Sequence, residues 1–89
     1  MNDKETKIYI VDDDEMLSEM LVDHLQPQGN YVFKTFGTGE LCLEDLARFP
    51  VDPEIIILDF NLDSIQPKAA NGLQILKAIK KHNKNIVVI

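Results

Sequence analysis

The chain has 89 residues, 45% of them apolar and 27% charged. This is the balance of one small globular domain, and a chain this short buries only roughly 60% of its unfolded surface, so its core has little to spare. No apolar run approaches the ~18 residues of a membrane span, the charged opening Met1-Asn2-Asp3-Lys4-Glu5 has no secretion-signal core behind it, and the lone Cys42 excludes an internal disulfide and a zinc cluster. A single cytoplasmic domain over residues 1–89 is expected, with no membrane contact.

Charge divides the chain. Fifteen acids against nine bases leave a net of −6. Residues 1–63 hold all fifteen acids and four bases (Lys4, Lys7, Lys34, Arg48), a net of −11, whereas residues 64–89 hold five lysines and no acid, a net of +5. An acidic domain without a dense basic patch is a poor nucleic-acid binder, so no direct contact with nucleic acid is expected. The lysine-rich end reads either as a solvated helix face or as a surface for an acidic partner.

In chain order, Lys7 to Val11 is a short β-rich apolar run. From Asp14 to Gln26 the apolar residues Leu17, Met20, Leu21 and Leu25 fall at helical spacing, with Asp13 or Asp14 able to cap the helix and Pro27 to stop it. Met16 and Met20 read as helix packing and Cys42 as a core residue, while His24 and His82 read as surface residues without a partner cluster. After a turn at Gln28-Gly29-Asn30, Tyr31 to Phe36 alternates as a strand, and Gly37-Thr38-Gly39 leads into a helix near Glu40 to Phe49 that carries Leu41, Leu43 and Leu46.

Pro50 ends that helix. Ile55-Ile56-Ile57-Leu58 is apolar at every position, which predicts a strand covered on both faces. A loop from Phe60 to about Asn71 is longer than the usual βα connection, a feature often tied to function. A third helix is expected from about Gly72 to His82, with Leu73, Leu76 and Ile79 on one face and lysines crowding its C-terminal end. Asn85 to Ile89 is a last β run. The order βαβαβαβ predicts an α/β fold with a parallel sheet and helices on both faces.

Two of these strands end alike. Ile8 to Val11 runs into Asp12-Asp13-Asp14, and Ile55 to Leu58 runs into Asp59. In a parallel sheet both places lie at carboxyl ends of strands, where open α/β folds build their sites. Acids at a helix N-terminus are commonplace, but an acid directly after a fully apolar strand is costly without a task. Asp12, Asp13 and Asp59 gathered in one crevice would repel each other and call for a cation. Oxygen-only ligands with room for water suit Mg²⁺ better than Zn²⁺.

Ile10-Val11-Asp12-Asp13-Asp14, Ile56-Ile57-Leu58-Asp59 and Asn71-Gly72-Leu73 together resemble the receiver domain of bacterial response regulators, a likeness that runs from Lys7 to Ile89. Gly37-Thr38-Gly39-Glu40 is similar to the family's stretch before its second helix. The resemblance implies a flavodoxin-like, doubly wound parallel sheet of order 2-1-3-4-5. It also implies that Asp59 is the phosphoacceptor, taking a phosphoryl group from a histidine kinase or phosphotransfer protein. On the same footing Asp13 would bind Mg²⁺ directly, Asp12 largely through water, and Asn61 through its backbone carbonyl. Such a domain assists its own phosphoryl transfer and hydrolysis without being an enzyme for a separate substrate, and it signals to a downstream protein partner.

The sequence departs from the family pattern in two places. Thirteen positions separate Asp59 from Gly72, more than the family commonly has, which places an insertion within Asp63 to Asn71. The sequence also ends at Ile89, after the fourth strand, so it is expected either to be a fragment of a longer protein or to lack the family's fifth strand, its fourth and fifth helices and the hydroxyl and lysine that contact the phosphoryl group. Ile86 to Ile89 would then form a sheet edge without charge or proline to blunt it, and self-association through that edge is expected.

Two other functions compete. Ile57-Leu58-Asp59-Phe60-Asn61 resembles the first motif of haloacid dehalogenase-type phosphatases, but that motif needs a second acid where Asn61 stands, and it leaves Asp12 and Asp13 without a role. The other is a receiver-shaped protein-binding module that is not phosphorylated because its site is incomplete.

Overall fold

The computed structural model describes residues 4–59 and 72–89. The elements are β1 (Thr6–Val11), α1 (Glu15–Leu25), a 3-10 turn (Gln26–Gln28), β2 (Tyr31–Phe36), α2 (Gly39–Arg48), β3 (Ile55–Leu58), α3 (Gly72–His82) and β4 (Val87–Val88). The four strands form one parallel sheet of order β2-β1-β3-β4. The parallel βαβαβαβ arrangement is the one expected from the alternation of elements, and its strand order is the flavodoxin-like one that the receiver-domain resemblance implies. The chain steps one way from β1 to β2 and the other way from β2 onward, so right-handed crossovers put α1 on one face and α2 and α3 on the other.

The main core lies under α2 and α3. Tyr9 and Val11 of β1 and Ile56 and Leu58 of β3 point into it, meeting Cys42 and Leu46 of α2 and Ile75 and Ile79 of α3. Ile8 and Ile10 are equally buried but point to the opposite face by strand alternation. Ile55 and Ile57 share that face and are only half-buried, so β3 is less evenly covered than its four apolar residues predict. The helix on that face, α1, packs mainly on β2, and its only buried residue is Ser18. Met16 and Met20, expected to pack, are 70% and 59% exposed, and Leu17 is exposed as well.

Gly39 at the start of α2 lets the two helices on the main face close up: a Cβ there would stand 2.3 Å from Ile75 Cγ1. The other end of α3 is tied to the segment before β3. Asp52 pairs with His82 Nε2 at 2.9 Å and accepts from Asn83 Nδ2 at 2.9 Å, so His82 has a partner that its position on the helix did not announce. The long connection after Asp59, including its expected insertion, lies outside the described residues.

Candidate functional site

The register of the sheet builds the site. Val11 of β1 is paired with Leu58 of β3, so the next residue of each strand, Asp12 and Asp59, emerge side by side. Backbone hydrogen bonds continue past the strand ends: the Asp59 amide donates to the Val11 carbonyl at 3.0 Å and the Asp12 amide donates to the Phe36 carbonyl at 3.0 Å. Both carboxylates therefore leave from backbone held by the sheet.

Asp12, Asp13 and Asp59 each bring a carboxylate oxygen to within 4.8 Å of the others. Asp12 and Asp59 are half-buried and Asp13 is exposed. The third acid of the run does different work. Asp14 is the N-cap of α1, its Oδ1 accepting from the Met16 amide at 3.0 Å and the Leu17 amide at 3.3 Å. Asp12 Oδ1 accepts from the Asp14 amide at 2.8 Å, which fixes the turn between strand and helix. Burial pushes the Asp12 carboxyl above its ordinary range, and the charges of Asp59, Asp13 and Asp14 push the same way against the Asp14 amide bond. Such a group is relieved by a cation, and three carboxylates within reach of one another are the donor set of a hard, oxygen-seeking ion. Of the residues expected at a metal position, Asp12, Asp13 and Asp59 converge, while Asn61 lies outside the described residues.

Next to this cluster, toward β2, is a cavity of about 330 Å³ whose lining includes Asp12, Asp13, Glu15, Ser18 and Thr35. Glu15, Ser18 and Thr35 did not emerge from the sequence as site residues. The one signal was Ser18, a polar residue within an otherwise apolar helical stripe.

A parallel α/β sheet with acids clustered at the carboxyl ends of its first and third strands defines a small class of proteins. The sequence model of the response regulator receiver domain matches residues 8–89, and the chain belongs to that family, the receivers of two-component signalling. Solved structures agree. The N-terminal domain of a response regulator receiver protein from Methanoculleus marisnigri JR1 is 31% identical, with a TM-score of 0.73, over 92% of this chain and 62% of that one. The BeF3-activated DrrB receiver domain is 29% identical, with a TM-score of 0.72, over 96% of this chain and 63% of that one. The N-terminal domain of a response regulator/sensory box/GGDEF three-domain protein from Carboxydothermus hydrogenoformans is 26% identical, with a TM-score of 0.74, over 85% of this chain and 56% of that one. The chain thus spans between half and two thirds of the length of these relatives. No curated protein matches it. No helix among the described residues is long and apolar enough to cross a membrane.

Proposed function

We propose that this chain is a cytoplasmic phosphoacceptor receiver module, with Asp59 as the residue that takes the phosphoryl group from a phosphohistidine of a histidine kinase or phosphotransfer protein. An Asp59 carboxylate oxygen attacks phosphorus, the P–N bond breaks, and the imidazole leaves with the bonding pair and takes up a proton. The observation that carries this reading is the convergence of Asp12, Asp13 and Asp59 at the carboxyl ends of β1 and β3 in a receiver-family chain. Asp59 suits the role because it follows a buried strand and is held by the Val11 carbonyl, so its carboxylate starts from a fixed backbone. Asp12 and Asp13 would hold Mg²⁺ together with Asp59. Bound there, the ion would screen the three carboxylates and neutralise charge on the transferring oxygens.

The reading is tested by exposing the chain to acetyl phosphate and Mg²⁺ and weighing it by mass spectrometry. Addition of one phosphoryl unit to the wild type and none to Asp59→Asn is the expected result. Labelling that survives in Asp59→Asn overturns the assignment of the acceptor. A wild type that binds Mg²⁺ yet never gains the unit is the result expected of a receiver-shaped binding module.

A further inference from the structure

The cavity between the start of α1 and the end of β2 has its own unmet demand. Ser18 is 3% exposed, lines this cavity, and its hydroxyl has no hydrogen-bond partner among the described residues. A helical serine can bond back to the carbonyl four residues earlier, but here the Asp14 carbonyl is engaged by the Ser18 amide at 3.1 Å and the hydroxyl makes no such bond. A buried hydroxyl left without a partner costs about as much as a lost hydrogen bond. Among the described residues, every charged member of the lining is an acid: Asp12, Asp13 and Glu15. The nearest basic residue in sequence, Lys34, is already committed to Asp45. Asp59 is not part of this lining, which separates the cavity from the β3 side of the carboxylate cluster.

We propose that this cavity is a subsite for a guanidinium group, held by Asp12, Asp13 and Glu15 with Ser18 accepting one of its N–H bonds. Its chemistry selects the class of ligand. The acids demand positive charge and the acceptors are spread over the turn that leaves β1, with Asp12 and Asp13, and the first turns of α1, with Glu15 and Ser18. A planar fork of five N–H donors answers two carboxylates and a hydroxyl at once. A small divalent ion asks instead for a compact set of oxygens, which Asp12, Asp13 and Asp59 already offer on the other side. An ammonium group is a compact, strongly hydrated point charge with three donors and no planar fork. The inference stands on the cavity and its acids, so it survives a failure of phosphorylation at Asp59. Because Asp12 and Asp13 are shared, guanidinium and Mg²⁺ must weaken each other's binding by the same factor.

The test is a titration of the isotope-labelled full chain with methylguanidinium chloride in metal-free buffer, followed by amide NMR. Saturable shifts are expected at Glu15, Ser18 and Thr35, with methylammonium binding at least several-fold more weakly. Ser18→Ala removes an unpartnered hydroxyl, so the fold is retained while affinity falls about threefold to tenfold, the worth of one hydrogen bond. Glu15→Gln, an exposed position, weakens binding without touching the core. Tighter binding of N-acetylarginine amide than of methylguanidinium identifies an arginine side chain of a polypeptide as the source, and the reverse order a free guanidino compound. Shifts that never saturate, methylammonium binding as tightly as methylguanidinium, or unchanged affinity in both Ser18→Ala and Glu15→Gln would overturn the proposal.

Discussion

The Tyr9 hydroxyl of β1 donates to Asp45 Oδ1 on α2, and this bond joins the central strand to the helix above it. The same carboxylate receives Lys34 from β2 on its other oxygen. Asp45 is only 7% exposed, so its charge is held among apolar neighbours by two donors from two adjacent strands. Lys34 is in turn spread over the Phe49 ring, 4.7 Å from its centre. Replacing Tyr9 by Phe leaves Oδ1 without its donor and should cost ~1–3 kcal/mol of stability. Urea unfolding reads this as a lower midpoint with an unchanged slope.

Acid should unfold the protein partly through this residue. Burial works to raise the Asp45 carboxyl, but the hydrogen bonds from Lys34 and Tyr9, with the charges of Lys34 and Lys7, outweigh it and hold the group below its usual range. A carboxyl depressed in the folded state adds stability above its unfolded value near pH ~3.9, and that stability is lost as pH falls through the lower folded value. Asp52 is held low in the same direction: burial opposes, and Asn83 and His82 prevail. A stability profile from pH 6 to pH 2, roughly the range in which carboxylates titrate, should fall at its acid end. The fall should be shallower in Asp45→Asn, which starts from lower stability at neutral pH.

Asp12 has the opposite sign. Its carboxyl is raised in the fold, so its ionised form weakens the metal-free protein at neutral pH, and that penalty lifts as pH falls through the raised value. Asp12→Asn should therefore melt higher than wild type when metal is removed by chelator. Added Mg²⁺ should raise the melting temperature of wild type more than that of Asp12→Asn. Equal responses in the two proteins would show that Asp12 does not face the ion.

Cys42 should behave as a packing residue. Burial, with the Asp45 charge in second place, pushes its thiol up to about 12, and the side chain is fully enclosed. Thiolate is the reactive form, so a disulfide reagent should modify the native protein no faster than it opens, and quickly only in denaturant.

Gly39→Ala should disturb the seam between α2 and α3. The new methyl group would meet Ile75 Cγ1 at 2.3 Å and Cδ1 at 2.4 Å, in a side chain that is itself fully buried. A loss of ~1–3 kcal/mol is expected from such overpacking. Ile75→Val in the same chain removes the nearest terminal methyl and should recover part of it, which thermal melts of the two variants will show.

Much of this molecule could be read from its residues alone. Strand and helix positions followed from period and from punctuation by Pro27, Pro50 and the glycines around Thr38, and the strand-end acids singled out the three carboxylates that converge. Those signals are local, each carried within one segment. No local signal marks Asp45, because Tyr9 and Lys34, the donors that hold its carboxylate, lie 36 and 11 residues away. Asp52 and His82 are 30 residues apart and were equally unlinked. The methionines of α1 misled for a related reason: helical spacing shows that one side is apolar, not whether anything lies against it. Ser18 carried the opposite lesson, since a polar residue on that stripe proved to be its buried member.

The rung formed by Val11 and Leu58 has a consequence for how closely the acids can be set. Hydrogen-bonded strands lie ~4.7–4.9 Å apart, and this spacing is a property of backbone that no side chain can adjust. Asp12 and Asp59 start one residue past that rung, so the sheet acts as a ruler laid across the mouth of the site. Aspartate, one methylene long, keeps its carboxylate close to the backbone that the ruler has placed. Glutamate at either position would add a joint between ruler and charge, and the gap between the acids would then be set by side-chain freedom instead of by the sheet.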